Sequence, residues 1–350
     1  MIPEYLPWSK KTLNECLSFQ SKGLLPSLDL ELTAKCSRCS CIYCDSKPGV
    51  SSTIDFQEIS IEAIMQSLNE CVQLGLKWVY TCGLGEPLED DKFWNIIHFL
   101  AGHDIRLSIF SNGVFIQDIE TARELKKCGV CIILKMDTFD EGQFDRILGK
   151  IGVAKLIYTA RDYLLSAGYA QTTNYTDLAF SLVPTSLSLQ GIPSVIDFCK
   201  KYNIFASIGE LERAGNVINN NLTPTLGISD TECERLKRIA DDYIEGCYMR
   251  PICPCIMTGL HIDNVGNVVV DRITGLNCKW FLLSEPDIHI IGNIYNSSIV
   301  DLFAKVNDYR LRAFQLNKDT INSSFNVSYV FGGCGGNPRD IIQLVRERQR

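Results

Sequence analysis

Sixteen of the 350 residues are cysteine, and nine of these thiols fall into two groups. The first group places four thiols within nine residues, in the segment CSRCSCIYC that begins at Cys36. The second group lies in the last third of the chain and consists of Cys247, Cys253, Cys255, Cys278 and Cys334. Cysteine makes up about 4.6% of the chain, which is below the roughly 8 to 10% of a disulfide scaffold. The grouped thiols are therefore predicted to bind a metal centre.

The spacing of the first group favours an iron–sulfur cluster over a zinc ion. Structural zinc usually takes its ligands from two CxxC pairs that lie more than about ten residues apart. The CSRCSCIYC segment is instead a single tight group. An iron–sulfur cluster held by three cysteines leaves one iron without a protein ligand, and that iron can bind and activate a small molecule.

The other seven cysteines are predicted to be small buried hydrophobic residues, because they stand singly or lie in apolar runs. They are Cys16, Cys71, Cys82, Cys128, Cys131, Cys199 and Cys233. Reduced thiols fit the cytoplasmic compartment that we expect for this protein. The N-terminal segment MIPEYLPWSKKTLNEC has no apolar run of the kind that a secretory signal requires.

The composition makes several classes of protein unexpected. Hydrophobic residues make up 46% of the chain and charged residues 21%, as in ordinary globular proteins and unlike disordered chains. The formal net charge is -7, so electrostatics do not favour a nucleic-acid partner. No apolar stretch reaches 18 residues, so no membrane span is expected.

Alternating strands and helices must position these thiols. Buried parallel strands are predicted at residues 27–33, 77–81, 106–111, 130–135, 177–183 and 205–210. Apolar residues at spacings of three and four predict helices at residues 60–74, 91–101, 119–128, 153–167 and 192–202. Since parallel strands need crossover connections, the fold class is α/β, with a parallel sheet or partial barrel of six strands. Cofactors bind to such sheets at the carboxyl ends of the strands.

The pattern changes after Gly215. The segment NVINNNLTPTLG is predicted to be a loop, and a capping box from Ser229 to Glu232 opens a helix that runs to Asp241. Residues 261–270 are predicted to form a β-hairpin with its turn around residues 264–267. We expect an N-terminal extension at 1–24, a barrel domain at 25–215 and a smaller α+β domain at 216–350.

Motifs at four predicted strand ends together resemble the radical S-adenosylmethionine (SAM) superfamily. They are ELT with the following cysteines, GLGEP from Gly83, FSNG from Phe110, and LKMDTFD from Leu134 with FDRILG after it, the last of which resembles a signature of the SPASM/twitch branch of that family. In that family a CxxxCxxC motif binds a [4Fe–4S] cluster whose open iron chelates SAM. The present chain departs from this pattern, because four residues rather than three separate Cys36 from Cys41.

The resemblance implies a ligand for each part of the cofactor. The ligands of the SAM-binding [4Fe–4S] cluster are expected to be Cys36, Cys41 and Cys44, with Cys39 as the alternative to either of the first two. Tyr43 is expected beside the adenine. The turn that holds the SAM amino group in the family corresponds to Gly83, Gly85 and Glu86, and the turn near the ribose to Ser111 and Asn112.

Charged residues at two further strand ends are also candidates. Lys135 would be costly to bury unpaired, so it is expected to meet the SAM carboxylate or Asp137, unless it extends to solvent. Glu210 and Arg213 follow the last predicted strand and are expected to bind substrate or SAM, or to be ordinary surface charges.

The second cysteine group resembles the SPASM/twitch branch of the same family. In that branch one cysteine precedes a hairpin, another follows it, and a GNI segment with a helix leads to a final cysteine. The order matches here, and the implied ligands of one auxiliary [4Fe–4S] cluster are Cys253, Cys255, Cys278 and Cys334. A structural zinc ion is the alternative. Cys247 is expected to replace one ligand, to stay free, or to return a hydrogen atom to substrate.

The implied activity is that of a radical SAM oxidoreductase or epimerase that modifies a ribosomal peptide by oxidation, crosslinking or epimerisation. A small natural product such as an aminosugar is the alternative substrate. A non-catalytic iron–sulfur or zinc scaffold is the alternative from another class. The expected partners are the substrate and an electron donor such as flavodoxin or ferredoxin.

Overall fold

The computed structural model describes residues 4–5, 18–19, 21–44, 58–81, 85–171, 175–208, 211, 216–217, 220–241, 259–269 and 290–316. The strands are β1 (Glu4–Tyr5), β2 (Ser27–Leu30), β3 (Trp78–Thr81), β4 (Arg106–Ser111), β5 (Val130–Lys135), β6 (Tyr175–Thr176), β7 (Leu178–Leu182), β8 (Phe205–Ile208), β9 (Leu260–Ile262), β10 (Asn267–Val269) and β11 (Ile290–Asn293). The α-helices are α1 (Ile61–Gln73), α2 (Phe93–Gly102), α3 (Ile119–Lys127), α4 (Glu141–Leu148), α5 (Val153–Ser166), α6 (Ile192–Tyr202), α7 (Thr223–Leu226), α8 (Asp230–Asp241) and α9 (Ile299–Leu316), and Pro87–Glu89 forms a 3₁₀ turn.

Among the described residues, six parallel strands form one side of a nine-stranded sheet, from β2 to the edge strand β8. Their order is β2-β3-β4-β5-β7-β8, and every neighbouring pair among them is parallel. A separate pair, β1 and β6, is also parallel. The prediction of an α/β fold with a parallel sheet of six strands is therefore confirmed.

The strand bounds differ from prediction mainly at the carboxyl ends. The first strand was expected to reach Thr33, but the ladder ends at Leu30. The chain then turns away, since the Thr33 hydroxyl and the Ala34 N–H donate to the Glu58 carboxylate at 2.7 and 2.9 Å. Residues 209 and 210, the end of the sixth predicted strand, lie outside the described residues.

One face of the sheet packs against the helices and is apolar. Leu28, Val79, Ile109 and Leu134 are at most 1% exposed. Phe180 of β7 stacks on Phe198 of α6, with ring centroids 6.1 Å apart. This burial of apolar area supplies the main driving force for the fold.

The opposite face carries polar and aromatic residues, because side chains alternate along each strand. The Trp78 indole N–H donates to the Ser108 hydroxyl at 3.2 Å on this face. The imidazole of His261 from β9 lies 3.0 Å from Asp29 of β2 and 3.8 Å from Glu31. All three of these charged or titratable side chains are buried.

Helix starts follow the capping rules. Ser60 accepts from the Ala63 N–H at the start of α1, and Asp118 accepts from the Thr121 N–H at the start of α3. The predicted capping box is confirmed, since Ser229 and Glu232 exchange hydrogen bonds at 3.3 and 3.1 Å. The segment predicted as a loop before it contains the short helix α7.

Helix α4 was not predicted as a helix. It is only eight residues long, and its start is fixed by Asp140, whose carboxylate accepts from the Gln143 N–H at 2.8 Å. It ends at Gly149, which adopts the left-handed conformation at φ 69°. A short helix offers little periodicity, so its caps carry most of the sequence signal.

The predicted hairpin is confirmed, and it extends the main sheet. Strands β9 and β10 are antiparallel, and β10 also pairs antiparallel with β11. Strand β9 adds parallel to β2, with Leu28 opposite Leu260. Asp263 shapes the turn by accepting from the N–H groups of Val265 and Asn267 at 3.0 and 2.9 Å.

Of the seven cysteines predicted to be buried, four are described with their side chains and are at most 6% exposed: Cys71, Cys128, Cys131 and Cys199. Burial is the first cause that raises the pKa of Cys71 and of Cys199. These thiols stay protonated at neutral pH and act as apolar residues. Cys16, Cys82 and the Cys233 side chain lie outside the described part of the chain.

Candidate functional site

Loops from four neighbouring strands meet at the carboxyl edge of the sheet. The loop after β2 carries the first cysteine group. Glu86 follows β3, Asn112 follows β4 and Asp137 follows β5. The ends of parallel strands lie at the same edge, which explains why motifs far apart in sequence come together. The structure thus joins the first cysteine group with three of the other predicted motifs.

The cysteine loop is anchored to the end of helix α4. The Ser40 N–H donates to the Leu148 carbonyl and the Ile42 N–H to the Ile147 carbonyl, both at 2.9 Å. A Cβ at Gly149 would lie 2.2 Å from the Ser40 carbonyl oxygen, so only glycine allows this approach. These backbone contacts hold the loop against α4 at Ser40 and Ile42.

Four thiols of the loop differ in exposure. Cys36, Cys41 and Cys44 are partly exposed, whereas Cys39 is 9% exposed and packs in the hydrophobic core. The Cys39 thiol forms hydrogen bonds with Cys36 and Cys41, which raise the pKa of Cys39. The hydrogen bond from Cys39 lowers the pKa of Cys41 to about 7. Three thiols are therefore available at the loop surface and a fourth lies beneath them.

No three of the loop thiols lie within 4.8 Å of one another in the described structure. Ligand atoms of one tetrahedral zinc ion lie about 3.3 to 3.8 Å apart, given bond lengths of about 2.0 to 2.3 Å. Within the part of the chain that the structure describes, three donor atoms lie within 4.8 Å of one another only at His98, Glu124 and Cys128. That group lies on α2 and at the end of α3, away from the cysteine loop.

Gly85 brings the turn after β3 against the cysteine loop. A Cβ at this position would lie 2.5 Å from the carbonyl oxygens of Thr33 and Lys35. The next N–H, that of Glu86, donates to the Lys35 carbonyl at 2.7 Å. The close approach needs glycine here. Gly83 of the same motif lies outside the described residues.

Glu86 joins two of the predicted motifs. Its carboxylate is buried and accepts from the Ser111 hydroxyl and the Asn112 N–H, both at 2.7 Å. Burial raises the pKa of Glu86 to about 7, and the hydrogen bonds from Asn112 and Ser111 oppose that rise. An ionisable carboxyl with this pKa is a suitable partner for a cationic ligand near neutral pH.

Asn112 connects the turn after β4 to the cysteine loop. Its side-chain N–H donates to the Cys36 sulfur at 3.7 Å, and its side-chain oxygen accepts from the Val114 N–H at 2.9 Å. The sequence motif indicated a place near a ribose for Asn112. Its contact with a thiol was not predicted, because the sequence does not indicate which way the side chain turns.

Tyr43, Lys135 and Asp137 form a buried polar network. The Tyr43 hydroxyl donates to one Asp137 oxygen at 2.5 Å, and the Lys135 ammonium lies 3.0 Å from the same oxygen. The ammonium also donates to the Tyr43 hydroxyl and lies 4.2 Å from its ring centroid. The other Asp137 oxygen accepts from the Val183 N–H at 2.8 Å. Of the partners expected for Lys135, the structure therefore gives it Asp137.

The network fixes the charges of its members. Burial lowers the pKa of Lys135, but Asp137 and Tyr43 outweigh burial and hold that pKa well above its ordinary value. Burial and then the charge of Asp137 raise the pKa of Tyr43. Lys135 is therefore a permanent cation in contact with Tyr43 of the cysteine loop, and Tyr43 stays neutral.

Two residues that sequence reasoning did not single out hold the cysteine loop. Asn216 donates its backbone N–H to the Cys44 carbonyl and its side-chain N–H to the Cys41 carbonyl, both at 2.9 Å. The Glu58 carboxylate accepts from Thr33 and Ala34 at the start of the loop and lies 3.7 Å from the Lys92 ammonium. Asn216 stands in a predicted loop and Glu58 before a predicted helix, so neither had a distinguishing sequence signal.

Several predicted site residues lie outside the described residues. They are Gly83, Glu210, Arg213, Cys247, Cys253, Cys255, Cys278 and Cys334. The described part of the chain therefore contains the whole first cysteine group and the predicted SAM-binding residues from Tyr43 to Asp137, apart from Gly83.

The described residues fit the groups that the family resemblance implies. Three partly exposed thiols offer the soft donors that iron–sulfur clusters take. Glu86 offers a carboxyl for an ammonium group and Lys135 a cation for a carboxylate. The backbone opposite Gly85 leaves no room for a side chain, as expected where loops close around a ligand.

Comparison with known proteins gives relatives at low identity. No family model matches the chain. A GTP 3',8-cyclase from Limosilactobacillus fermentum is 25% identical over 263 residues, which cover 62% of this chain and 77% of that protein. Streptococcus suis SuiB bound to S-adenosylmethionine aligns with a TM-score of 0.61 and 16% identity, covering 85% of this chain and 71% of SuiB.

SuiB bound to its precursor peptide SuiA aligns with a TM-score of 0.60 and 14% identity, covering 85% of this chain and 70% of SuiB. At this identity the likeness shows a shared fold, which is the mixed α/β fold described above. In the ranges that the structure describes, no helix is long and apolar enough to cross a membrane. The comparisons therefore show a shared fold and one curated relative at 25% identity.

Proposed function

We propose that this protein is a radical SAM enzyme that modifies a ribosomal peptide by oxidation, crosslinking or epimerisation. The observation that carries the proposal is the meeting of three partly exposed thiols with Glu86, Asn112 and Lys135 at one edge of the sheet. When bound, a [4Fe–4S] cluster and SAM supply a 5'-deoxyadenosyl radical that removes a hydrogen atom from a substrate C–H bond.

The proposal gives each residue a task. Cys36, Cys41 and Cys44 hold the cluster, and Cys39 stays below them as a packed thiol. Glu86 binds the SAM ammonium. Lys135 attracts the SAM carboxylate, and Asp137 holds Lys135 in place.

The other SAM contacts follow from the same arrangement. Asn112 and Ser111 lie near the ribose, and Tyr43 lies beside the adenine with its hydroxyl turned to Asp137. Glu210 and Arg213 are proposed to contact substrate or SAM.

A peptide is the preferred substrate class. SuiB, which has the same fold, has been solved with a precursor peptide. The likeness extends over 85% of this chain, so it includes more than the cofactor-binding half. The alternative substrate class, given by the sequence analysis, is a small natural product such as an aminosugar.

An auxiliary [4Fe–4S] cluster is proposed for the second cysteine group, with Cys253, Cys255, Cys278 and Cys334 as ligands. Such a centre would accept the electron that substrate loses, making the net reaction an oxidation. Cys247 would instead return a hydrogen atom in an epimerisation. The domain boundary at residue 216 belongs to the same proposal.

The test is SAM cleavage by the anaerobically reconstituted protein with dithionite. We expect 5'-deoxyadenosine to form with wild type and with Cys39→Ala. Cys36→Ala, Cys41→Ala and Cys44→Ala are each expected to form none and to hold about four fewer irons, because an open-iron site needs all three thiolates. A protein that forms no 5'-deoxyadenosine would be an iron–sulfur or zinc scaffold, and loss of cleavage in Cys39→Ala would reassign the ligands.

A further inference from the structure

The sheet face that points away from the helices carries polar and aromatic side chains, and we call it the inner face. Register partners in a parallel ladder point to the same side of the sheet. Asp29 of β2 therefore shares the inner face with Tyr80 of β3 and Ser108 of β4. Lys135 is on this face too, because it lies four residues after Cys131, the partner of Ser108. Asp29 thus faces the same side as the charged network beside the cysteine loop.

Asp29 has one carboxylate oxygen without a partner among the described residues. Its side chain is buried, with 8% of the residue exposed, and its Oδ2 lies 3.0 Å from His261 Nδ1. Its Oδ1 is buried and receives no hydrogen bond from any described group. The same is true of the hydroxyl of Ser27, two residues earlier on the same face. Buried polar atoms nearly always have a partner, so these two oxygens indicate a place for a bound donor.

The charge of Asp29 is only partly balanced by its described neighbours. His261 is shared between two carboxylates, since its Nε2 lies 3.8 Å from Glu31. The two basic residues that the central strands place on the inner face, Arg106 and Lys135, have other partners and form no ion pair with Asp29. A cationic ligand would therefore complete the environment of this carboxylate.

Aromatic side chains line the inner face between Asp29 and the carboxyl edge of the sheet. Tyr80 is the register partner of Asp29, and its ring meets that of Phe110 edge to face with centroids 5.7 Å apart. Both rings are partly exposed, whereas Leu107 and Ile109 on the opposite face are at most 1% exposed. Phe110 lies two residues beyond the row of Asp29, or about 7 Å nearer the edge. Accessible aromatic surface thus connects Asp29 with the edge that carries the cysteine loop.

We infer that Asp29, together with Ser27, binds a primary ammonium group of the substrate. The carbon atoms next to that ammonium would lie along Tyr80 and Phe110, towards the SAM site. The inference rests on the proposed function, which puts SAM at the carboxyl edge of the sheet.

The chemistry of the open oxygen selects this group. A carboxylate oxygen only accepts, and a cation gives it a stronger, charge-assisted hydrogen bond than a neutral donor does. The ring of a neighbouring tyrosine also favours a cation. A guanidinium binds best through both oxygens of a carboxylate, but His261 already contacts the other Asp29 oxygen. Nor do the described residues bring a third donor atom close enough here for a metal ion.

The experiment measures the affinity of the anaerobically reconstituted protein for Nα-acetyl-lysine methylamide by calorimetry, with and without SAM. This probe has one ammonium group and no other charge. Asp29→Asn is expected to bind the probe at least about tenfold more weakly, because the charge-assisted hydrogen bond is lost. Wild type is expected to bind the Nε-acetylated probe, which has no charge, at least about tenfold more weakly than the lysine probe.

The matched control is Asp177→Asn. Asp177 is also buried, but both of its oxygens have partners, in the Ala170 N–H and the Lys126 ammonium. This variant should keep its affinity for the lysine probe.

Ser27→Ala provides a second variant that removes no hydrogen bond of the described structure. It should unfold at the same temperature as wild type and bind the lysine probe about threefold more weakly, because one acceptor is lost. If thermal unfolding shows that Asp29→Asn has not folded, Ser27→Ala decides the test.

Two further probes distinguish the sources of the ammonium group. Tighter binding of the lysine probe than of glucosamine would assign the ammonium to a peptide side chain, and the reverse would assign it to a small aminosugar. Either result supports an ammonium site. Tighter binding of Nα-acetyl-arginine methylamide than of the lysine probe would contradict it.

Equal affinity of wild type and Asp29→Asn for the lysine probe would overturn the inference, as would no binding by wild type or an equal loss in Asp177→Asn. A tenfold loss of SAM affinity in Asp29→Asn would also overturn it, because Asp29 would then belong to the SAM pocket. If dithionite drives no SAM cleavage, the proposed function fails. The probe affinities need no cleavage and still decide whether Asp29 binds an ammonium group.

Discussion

At the scale of single residues, Glu86 carries the most information about the site. It is buried, and its Oε1 accepts from the Ser111 hydroxyl at the end of β4 and from the Leu88 N–H, while its Oε2 accepts from the Asn112 N–H. A carboxylate oxygen has lone pairs beyond those used here, so it can bind a cation in addition. The Glu86 carboxylate therefore holds the end of β4 and the turn after it, and it retains a lone pair that can accept from a bound cation.

The first prediction concerns the pH dependence of SAM binding. The pKa of Glu86 is raised to about 7, so the carboxyl loses its proton as pH rises through that value. Because the ionised form attracts an ammonium group, SAM affinity should increase between about pH 6 and 8, by up to about tenfold. Calorimetric titration at several pH values measures this.

Glu86→Gln provides the comparison for that titration. It should bind SAM at least about tenfold more weakly, and its affinity should lack the component that titrates near pH 7. Titration of the SAM amino group itself affects both proteins and cancels in their ratio. A ratio that is constant with pH would place Glu86 outside the SAM pocket.

The second prediction concerns Asp137, which is completely buried and holds Lys135 and Tyr43. Removing one partner of a buried ion pair leaves the other charge uncompensated, so Asp137→Asn should lower the free energy of unfolding by about 3 kcal/mol. Anaerobic urea unfolding measures it. Glu120→Gln breaks an exposed pair with Arg123 and should cost at most about 1 kcal/mol.

At the scale of elements, the end of α4 decides the shape of the cysteine loop. Gly149 adopts φ 69°, and a Cβ there would meet the Ser40 carbonyl at 2.2 Å. Gly129 adopts a similar φ of 71° but has no atom within 4 Å of the same added Cβ. The two glycines share the left-handed backbone conformation and differ in what an added Cβ would contact.

The third prediction uses this pair. Gly149→Ala should displace the loop and lower the iron retained after reconstitution, besides costing about 1 kcal/mol for the left-handed backbone. Gly129→Ala should cost the same about 1 kcal/mol and keep its full iron content. Iron analysis and thermal unfolding of both variants provide the comparison. If the two variants lose iron equally, contact with Ser40 does not shape the loop.

Sequence periodicity predicted the parallel strands because each is short, apolar and bounded by turns. It did not reveal α4, where eight residues with a glycine give a weak pattern and the cap at Asp140 does the positioning. The motifs predicted which loops meet. They did not predict the Asn112 contact with Cys36 or the bonds from Asn216, because side-chain direction depends on the packed neighbours.

At the scale of the whole molecule, the fourth prediction counts irons. Reconstituted protein should hold about eight irons per chain, and the triple Ala variant of Cys36, Cys41 and Cys44 about four. The remaining irons would be held by the second cysteine group. Elemental analysis that finds zinc and no iron in the triple variant would make the second group a structural zinc site.

The pairing of β9 with β2 has a consequence for how the protein is made. Asp29 and His261 touch across 232 residues of sequence. During synthesis β2 emerges early, and its outer backbone groups stay unpaired until β9 has been translated. Contacts of such long range slow folding, and an open strand edge invites pairing with other chains. The exposed edge of β2 therefore needs protection during synthesis, from the time β2 emerges until β9 has been made, when nearly three quarters of the chain exist.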